Sequence, residues 1–233
     1  MKDYGNEKVL VVRDEDIKKI LKLEEKYSEM LGFASLPETG ILSVGARWLY
    51  FCEKLIEHTF MLRNEAEYNF DYKQIIPYVV LYNHGHLFVT QRISGGDERL
   101  LSKFSLGQSG HINPIDSLFE RFTDNLQDLI YASAFREVNE ELHLPSNICS
   151  GNNRGIAGLI YDNSNEVSSV HLGVVILIDL TGEAFEDVSV KETEKAVGKW
   201  VSIAELYCEY YDRMETWSQL ILDKMVVMQS YED

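Results

Sequence analysis

Seven consecutive residues, Arg136-Glu137-Val138-Asn139-Glu140-Glu141-Leu142, constrain this chain more than any other stretch. At about 100° per residue, a helix places Glu137, Glu140 and Glu141 within one arc. Tyr131, Phe135, Val138 and Leu142, at helical spacing, share another. One face packs and the other collects negative charge. Like charges one turn apart destabilise an isolated helix, so the trio calls for a compensating cation. Hard carboxylate oxygens suit Mg2+ or Mn2+. The plainer alternative for any E-x-x-E-E in an acidic chain is a solvated charged face.

Upstream lies Ser105-Leu106-Gly107-Gln108-Ser109-Gly110-His111-Ile112-Asn113-Pro114, read as a glycine-bearing loop where backbone approaches a ligand closely. With these two segments together the chain resembles the Nudix hydrolases, whose signature is G-x5-E-x7-R-E-U-x-E-E-x-G-U with U aliphatic. The match in the R-E-V-x-E-E half is specific. The first half departs from it: five residues after Gly110 comes Asp116, which lies farther from Arg136 than the signature allows, as though Ser117 to Asp128 interrupted it. Counting back from Arg136 gives Asp128 instead, and both candidates are Asp rather than Glu. His143 stands where the signature ends in Gly, a position that tolerates a left-handed backbone less readily.

The resemblance implies an α+β fold, a Nudix-type α/β/α sandwich with a mixed β-sheet, carrying N- and C-terminal helical extensions. It implies metal-dependent hydrolysis of a phosphoanhydride bond in a small nucleoside diphosphate derivative by activated water. Glu140 and Glu141 match the principal metal ligands, and Glu137 matches a ligand or base. Arg136 matches the residue that holds a glutamate of the cluster, which a planar guanidinium does better than Lys. A further acid often comes from a loop before the last strand. In Lys191-Glu192-Thr193-Glu194-Lys195, Glu194 is preferred to Glu192 and Glu186. Gly110 and His111 fall where substrate phosphates would lie, although a structural role explains His111 equally. Tyr161 stands near the position of a tyrosine in dinucleoside polyphosphate hydrolases, although a strand tyrosine explains it equally. Motifs of coenzyme A, NADH or ADP-ribose pyrophosphatases are not found, and the Gly110 loop with Lys73-Gln74-Ile75-Ile76-Pro77-Tyr78 is similar to a bacterial group described as predicted phosphoesterases.

The outer bounds agree. A net charge of −16 repels a nucleic-acid backbone, so no long nucleic acid is expected as a partner, while a small phosphorylated nucleotide arriving with metal is compatible. No apolar run approaches a membrane span, and the N-terminus lacks the plan of a secretory signal. Cys52, Cys149 and Cys208 are dispersed and read as reduced thiols of a cytoplasmic protein. His84 and His86 form H-x-H around Gly85, a turn pattern more than a zinc motif.

Along the chain, Lys8 to Val12 reads as a strand, and Asp14 opens a helix that ends at Gly32. Phe33 to Gly45 reads as a connection, and Ala46 onward as a helix before a strand through Phe60 to Arg63. Gln74 to Tyr82 and Leu87 to Gln91 read as a hairpin about Asn83-His84-Gly85-His86. Strands follow at Gly155 to Tyr161 and His171 to Leu180, and one helix runs from Ile203 to Met228. The expected organisation is an N-terminal extension (1–73), a Nudix domain (74–206) and a C-terminal helix (207–233); the apolar stripes of the terminal helices can meet within one chain or across a dimer, and the resemblance implies a homodimer. A Nudix-fold nucleotide-binding or regulatory module without catalysis is the alternative. Isomerase chemistry on the related fold wants a cysteine near the Gly110 loop, where none stands.

Overall fold

The computed structural model describes residues 3–30, 40–43, 56–94, 101–119, 125–145, 154–181 and 187–229. Among the described residues twelve strands are formed: β1 (Lys8–Arg13), β2 (Gly40–Ser43), β3 (His58–Leu62), β4 (Tyr72–Asn83), β5 (His86–Arg92), β6 (Phe104–Ser105), β7 (Gly107–Ser109), β8 (Leu142–His143), β9 (Arg154–Tyr161), β10 (His171–Asp179), β11 (Ser189–Val190) and β12 (Ala196–Ser202). Three longer helices accompany them: α1 (Asp14–Met30), α2 (Leu126–Glu141) and α3 (Thr216–Gln229). The main sheet runs β12-β5-β4-β10-β9-β2, with β1, β3, β6 and β7 joined to it, and β8 pairs with β11 apart from it. This is the mixed sheet with helices that the resemblance implied.

The chain divides into two compact units: residues 1–77, 110–133 and 157–174, and residues 78–109, 134–156 and 175–233. In the first, β1 pairs antiparallel with β3 on one side and with β4 on the other. A strand flanked on both edges and covered on both faces should be continuously apolar. Val9, Leu10, Val11 and Val12 are all fully buried. Each such side chain contributes about 1.5–3 kcal/mol on leaving water. Asn125 starts α2, its side-chain oxygen accepting the Asp128 N–H at 3.1 Å, which supplies one of the hydrogen bonds a helix start lacks.

Lys73 is the exceptional core residue of this unit, 1% exposed. Its ammonium donates to Asn163 Oδ1 at 2.7 Å and to the Ser169 carbonyl at 2.6 Å. It also lies over the Tyr161 ring and 3.9 Å from Asp14 Oδ1. Tyr161 in turn donates its hydroxyl to Asp14 at 2.9 Å, so this tyrosine is spent on the network around Lys73. Burial pushes the Lys73 ammonium down to about 8, against the pull of Asp14.

In the second unit β12 pairs with β5 over seven residues, from Ala196 opposite Arg92 to Ser202 opposite His86. The β4–β5 hairpin turns at His84 (φ 44°) and Gly85 (φ 76°). Two left-handed residues in succession are what a two-residue hairpin loop requires. His84 and His86 are exposed, as the turn reading expected.

Three expectations are corrected. Gly40–Ser43, within the supposed connection, is strand β2, in register with Gly158–Tyr161. The single helix expected from Ile203 to Met228 is broken: a short α turn at Ile203–Glu205 passes through a wider turn at Leu206–Tyr210 and a tighter one at Tyr211–Arg213, and α3 starts at Thr216. The apolar stripe survives the break, since Leu206, Met214 and Ile221 are buried. The glycine-bearing loop is partly sheet, as β6 and β7 pair with β5 and β4. The expected end of α1 at Gly32 and the helix onward from Ala46 lie largely outside the described residues.

Candidate active site

The site is built in the second unit from the end of α2. Arg136 Nη1 lies 2.6 Å from Glu137 Oε1 and 3.7 Å from Glu140 Oε2, so one guanidinium holds two of the three carboxylates. Glu140 is exposed and Glu137 largely buried. Glu141 is partly buried, and burial followed by the neighbouring Glu137 pushes its carboxyl from 4.5 up to about 7, with Arg92 pulling the other way.

The helix ends without the glycine of the signature because its last turn is satisfied by the facing loop. The Lys191 N–H donates to the Glu141 carbonyl at 2.8 Å, and Lys191 Nζ donates to the Asn139 carbonyl. These are two of the carbonyls that a helix C-terminus leaves without an intrahelical partner. A cation there also suits the helix dipole. His143 then enters the β8–β11 ladder opposite Ser189. Its backbone is extended, so the conformational freedom of glycine is not needed.

The same loop brings Glu192 to a cavity of about 140 Å³. Arg92, Lys103 and Lys195 line this cavity with Glu141, Glu192 and Glu215, beside the backbone of Gly107 to Ser109. Lys195 Nζ reaches both Glu192 oxygens at 2.8 and 2.9 Å. Glu194 sits in the adjoining exposed turn, and its carbonyl accepts from Ser94 Oγ at 2.7 Å.

The floor is a polar knot that no local motif announces. Glu215 Oε1 accepts from the Tyr78 hydroxyl, from Ser105 Oγ at 2.7 Å and from Ser218 Oγ at 3.2 Å. Ser218 Oγ also accepts the Leu106 N–H at 2.9 Å. Burial and the Glu215 charge push the Tyr78 hydroxyl well above its ordinary value, so it stays a donor. Gly107 is required here by close approach, because a Cβ at this position would overlap the Tyr78 ring. The residues come from β4, β6 and the start of α3, which explains why sequence spacing did not reveal them.

The remaining candidates lie in the first unit. Asp116 is fully buried and its carboxylate accepts the Asn113 N–H at 2.7 Å; Asp128 is exposed in the first turn of α2. His111 stands with Glu67 and His171, one ligand atom of each within 4.8 Å of the others. Of the cysteines, Cys208 is an exposed free thiol, while Cys52 and Cys149 lie outside the described residues. Among the described residues, no helix is long and apolar enough to cross a membrane.

No family model matches the chain. Protein YmaB of Bacillus subtilis (strain 168) is 36% identical to it over 167 residues, which span 70% of this chain and 76% of YmaB. Tm1382, a candidate Nudix hydrolase of known crystal structure, shares its fold at a TM-score of 0.67 and 28% identity, over 95% of this chain and 100% of Tm1382. A likeness of that extent carries the expectation raised by the acidic helix through to the whole fold, and the chain belongs to the Nudix family.

Proposed function

We propose that this chain hydrolyses a phosphoanhydride bond in a small nucleoside diphosphate derivative, with a divalent metal. The observation that carries the proposal is the meeting of unlike charges at one cavity. Arg92, Lys103 and Lys195 gather there beside a crowded carboxylate, in a chain whose net charge is −16. Cations so placed suit a phosphorylated substrate, and carboxylates so placed suit a metal.

The donor set fits a hard divalent cation. Three carboxylates share one arc, and the carboxyl of Glu141 is raised to about 7 by burial and by Glu137, the mark of negative charge short of a counterion. Glu137, Glu140 and Glu141 would hold Mg2+ or Mn2+, which when bound supplies charge neutralisation on phosphate oxygens and a more acidic water. Arg136 keeps Glu137 and Glu140 in place. Arg92 and Lys103 bind and orient the anionic oxygens against the Gly107–Ser109 backbone. Glu192, which lines the cavity where its neighbour Glu194 does not, serves as the loop acid that accepts a proton, held in place by Lys195.

The test is release of phosphate or mononucleotide from a panel of nucleoside diphosphate derivatives and dinucleoside polyphosphates, with magnesium, with manganese and with chelator. The expected result is metal-dependent cleavage of at least one member, lost in Glu140→Gln. A silent panel with nucleotide binding still detectable by thermal shift would replace the enzyme with a nucleotide-binding module.

A further inference from the structure

We propose that Glu67, His111 and His171 form a binding site for one zinc-type transition metal ion, separate from the acidic helix and independent of the function proposed above. One ligand atom from each of the three lies within 4.8 Å of the other two. Zinc sits about 2.0–2.1 Å from such nitrogen and oxygen atoms, so inward movements of under about 1 Å per side chain would close the set.

The surroundings already orient His171 and Glu67 as ligands. His171 Nδ1 lies 2.6 Å from the Val167 carbonyl. A carbonyl can only accept, so Nδ1 carries the proton and Nε2 is the basic nitrogen. A histidine ligand is commonly oriented this way, through the ring nitrogen that does not bind the metal. The His111 and His171 rings meet edge to face at 5.5 Å. Glu67 is fixed through Oε1, which accepts from Arg63 Nε at 3.1 Å.

The charged groups facing the set are Arg63 and Lys73. Arg63 is shared between Glu67 and Glu7, whose carboxylate lies 3.1 Å from Nη1. Lys73 is engaged by Asn163, Ser169 and the more distant Asp14. The cationic charge nearby is therefore largely offset. Two imidazoles and one carboxylate select zinc, cobalt or nickel over magnesium, the reverse of the preference of three carboxylates. Three protein ligands also leave a fourth position for water or another group. The ligands come from three distant stretches: the residue after the Arg63–Ala66 turn, the segment after β7 and the first residue of β10.

The experiment uses the full chain, stripped with chelator and titrated with Zn2+, Co2+ and Mg2+ singly. About one zinc per chain should bind, millimolar magnesium should not displace it, and the thermal midpoint should rise. His171→Gln should lose this uptake, whereas Glu140→Gln should retain it. Because a buried histidine variant can misfold, X-ray absorption of the zinc-loaded wild type supplies an independent readout. It should show nitrogen and oxygen ligands with the scattering pattern of two imidazoles. Failure of the wild type to take up zinc, displacement by magnesium, retention of uptake in a folded His171→Gln, or a ligand shell without two imidazoles would each overturn the proposal.

Discussion

Each unit draws one ionisable side chain out of water, Lys73 fully and Glu141 in part, and the two are treated oppositely. Around Lys73 in the first unit stand Asn163, the Ser169 carbonyl, the Tyr161 ring and Asp14, all able to favour a cation. Around Glu141 in the second stand Glu137, Glu140 and Glu192, with Arg92 as the opposing charge. A buried charge among complementary partners is a structural device. A carboxylate crowded by carboxylates holds its ionised form at a cost until a cation joins it, which is how a binding site differs from a core.

The contrast breaks first at Glu141. Replacing Glu141 with Gln should lower metal-dependent turnover by roughly 10²-fold or more, the scale expected when a group holding a catalytic ion is lost, with no loss of stability in urea. A marked destabilisation would show that Glu141 is a structural partner after all. Next, Lys73→Met should cost about 2–4 kcal/mol in the same unfolding measurement, since it leaves two buried acceptors without their donor. Turnover per folded molecule should be kept.

The two groups also give stability opposite slopes with pH. Lys73 falls from 10.5 to about 8 in the folded chain. The unfolded state binds the extra proton in that interval, so stability rises as pH climbs through it. Glu141 rises from 4.5 to about 7, the folded state binds the extra proton, and stability declines as pH climbs through that interval. Urea midpoints across pH should lose the alkaline rise in Lys73→Met and the acidic decline in Glu141→Gln. Two smaller effects sharpen the picture of the cavity. Gly107→Ala should cost about 1–3 kcal/mol through overlap with Tyr78. Glu192→Gln should reduce turnover several-fold while Glu194→Gln changes little; the reverse order would return the loop acid to Glu194.

The acidic helix was legible because all its information is local: a 3.6-residue period, an arc of carboxylates and an arginine adjoining the first. β1 and the β4–β5 hairpin were legible for the same reason, through apolar runs and Asn83-His84-Gly85-His86. β2 was not, because Gly40 and Ser43 carry no strand preference and their partners in β9 lie far along the chain. The break before α3 was hidden by a stripe whose spacing continues across it. The knot of Tyr78, Ser105, Ser218 and Glu215 and the trio of Glu67, His111 and His171 are long-range constellations, which no periodicity encodes. In the trio, only His111 had stood out, for its place beside Gly110.

The joint between Lys191 and the end of α2 has an evolutionary consequence. Its principal hydrogen bond is donated by main chain, so any residue except proline could occupy position 191 and still close the Glu141 carbonyl. Residues 192–195 can therefore diversify without unfastening the helix they face. Selection can remodel which acids and lysines are offered to the cavity, and hence which substrate would be preferred, while the carboxylate arc proposed to hold the metal stays as it is.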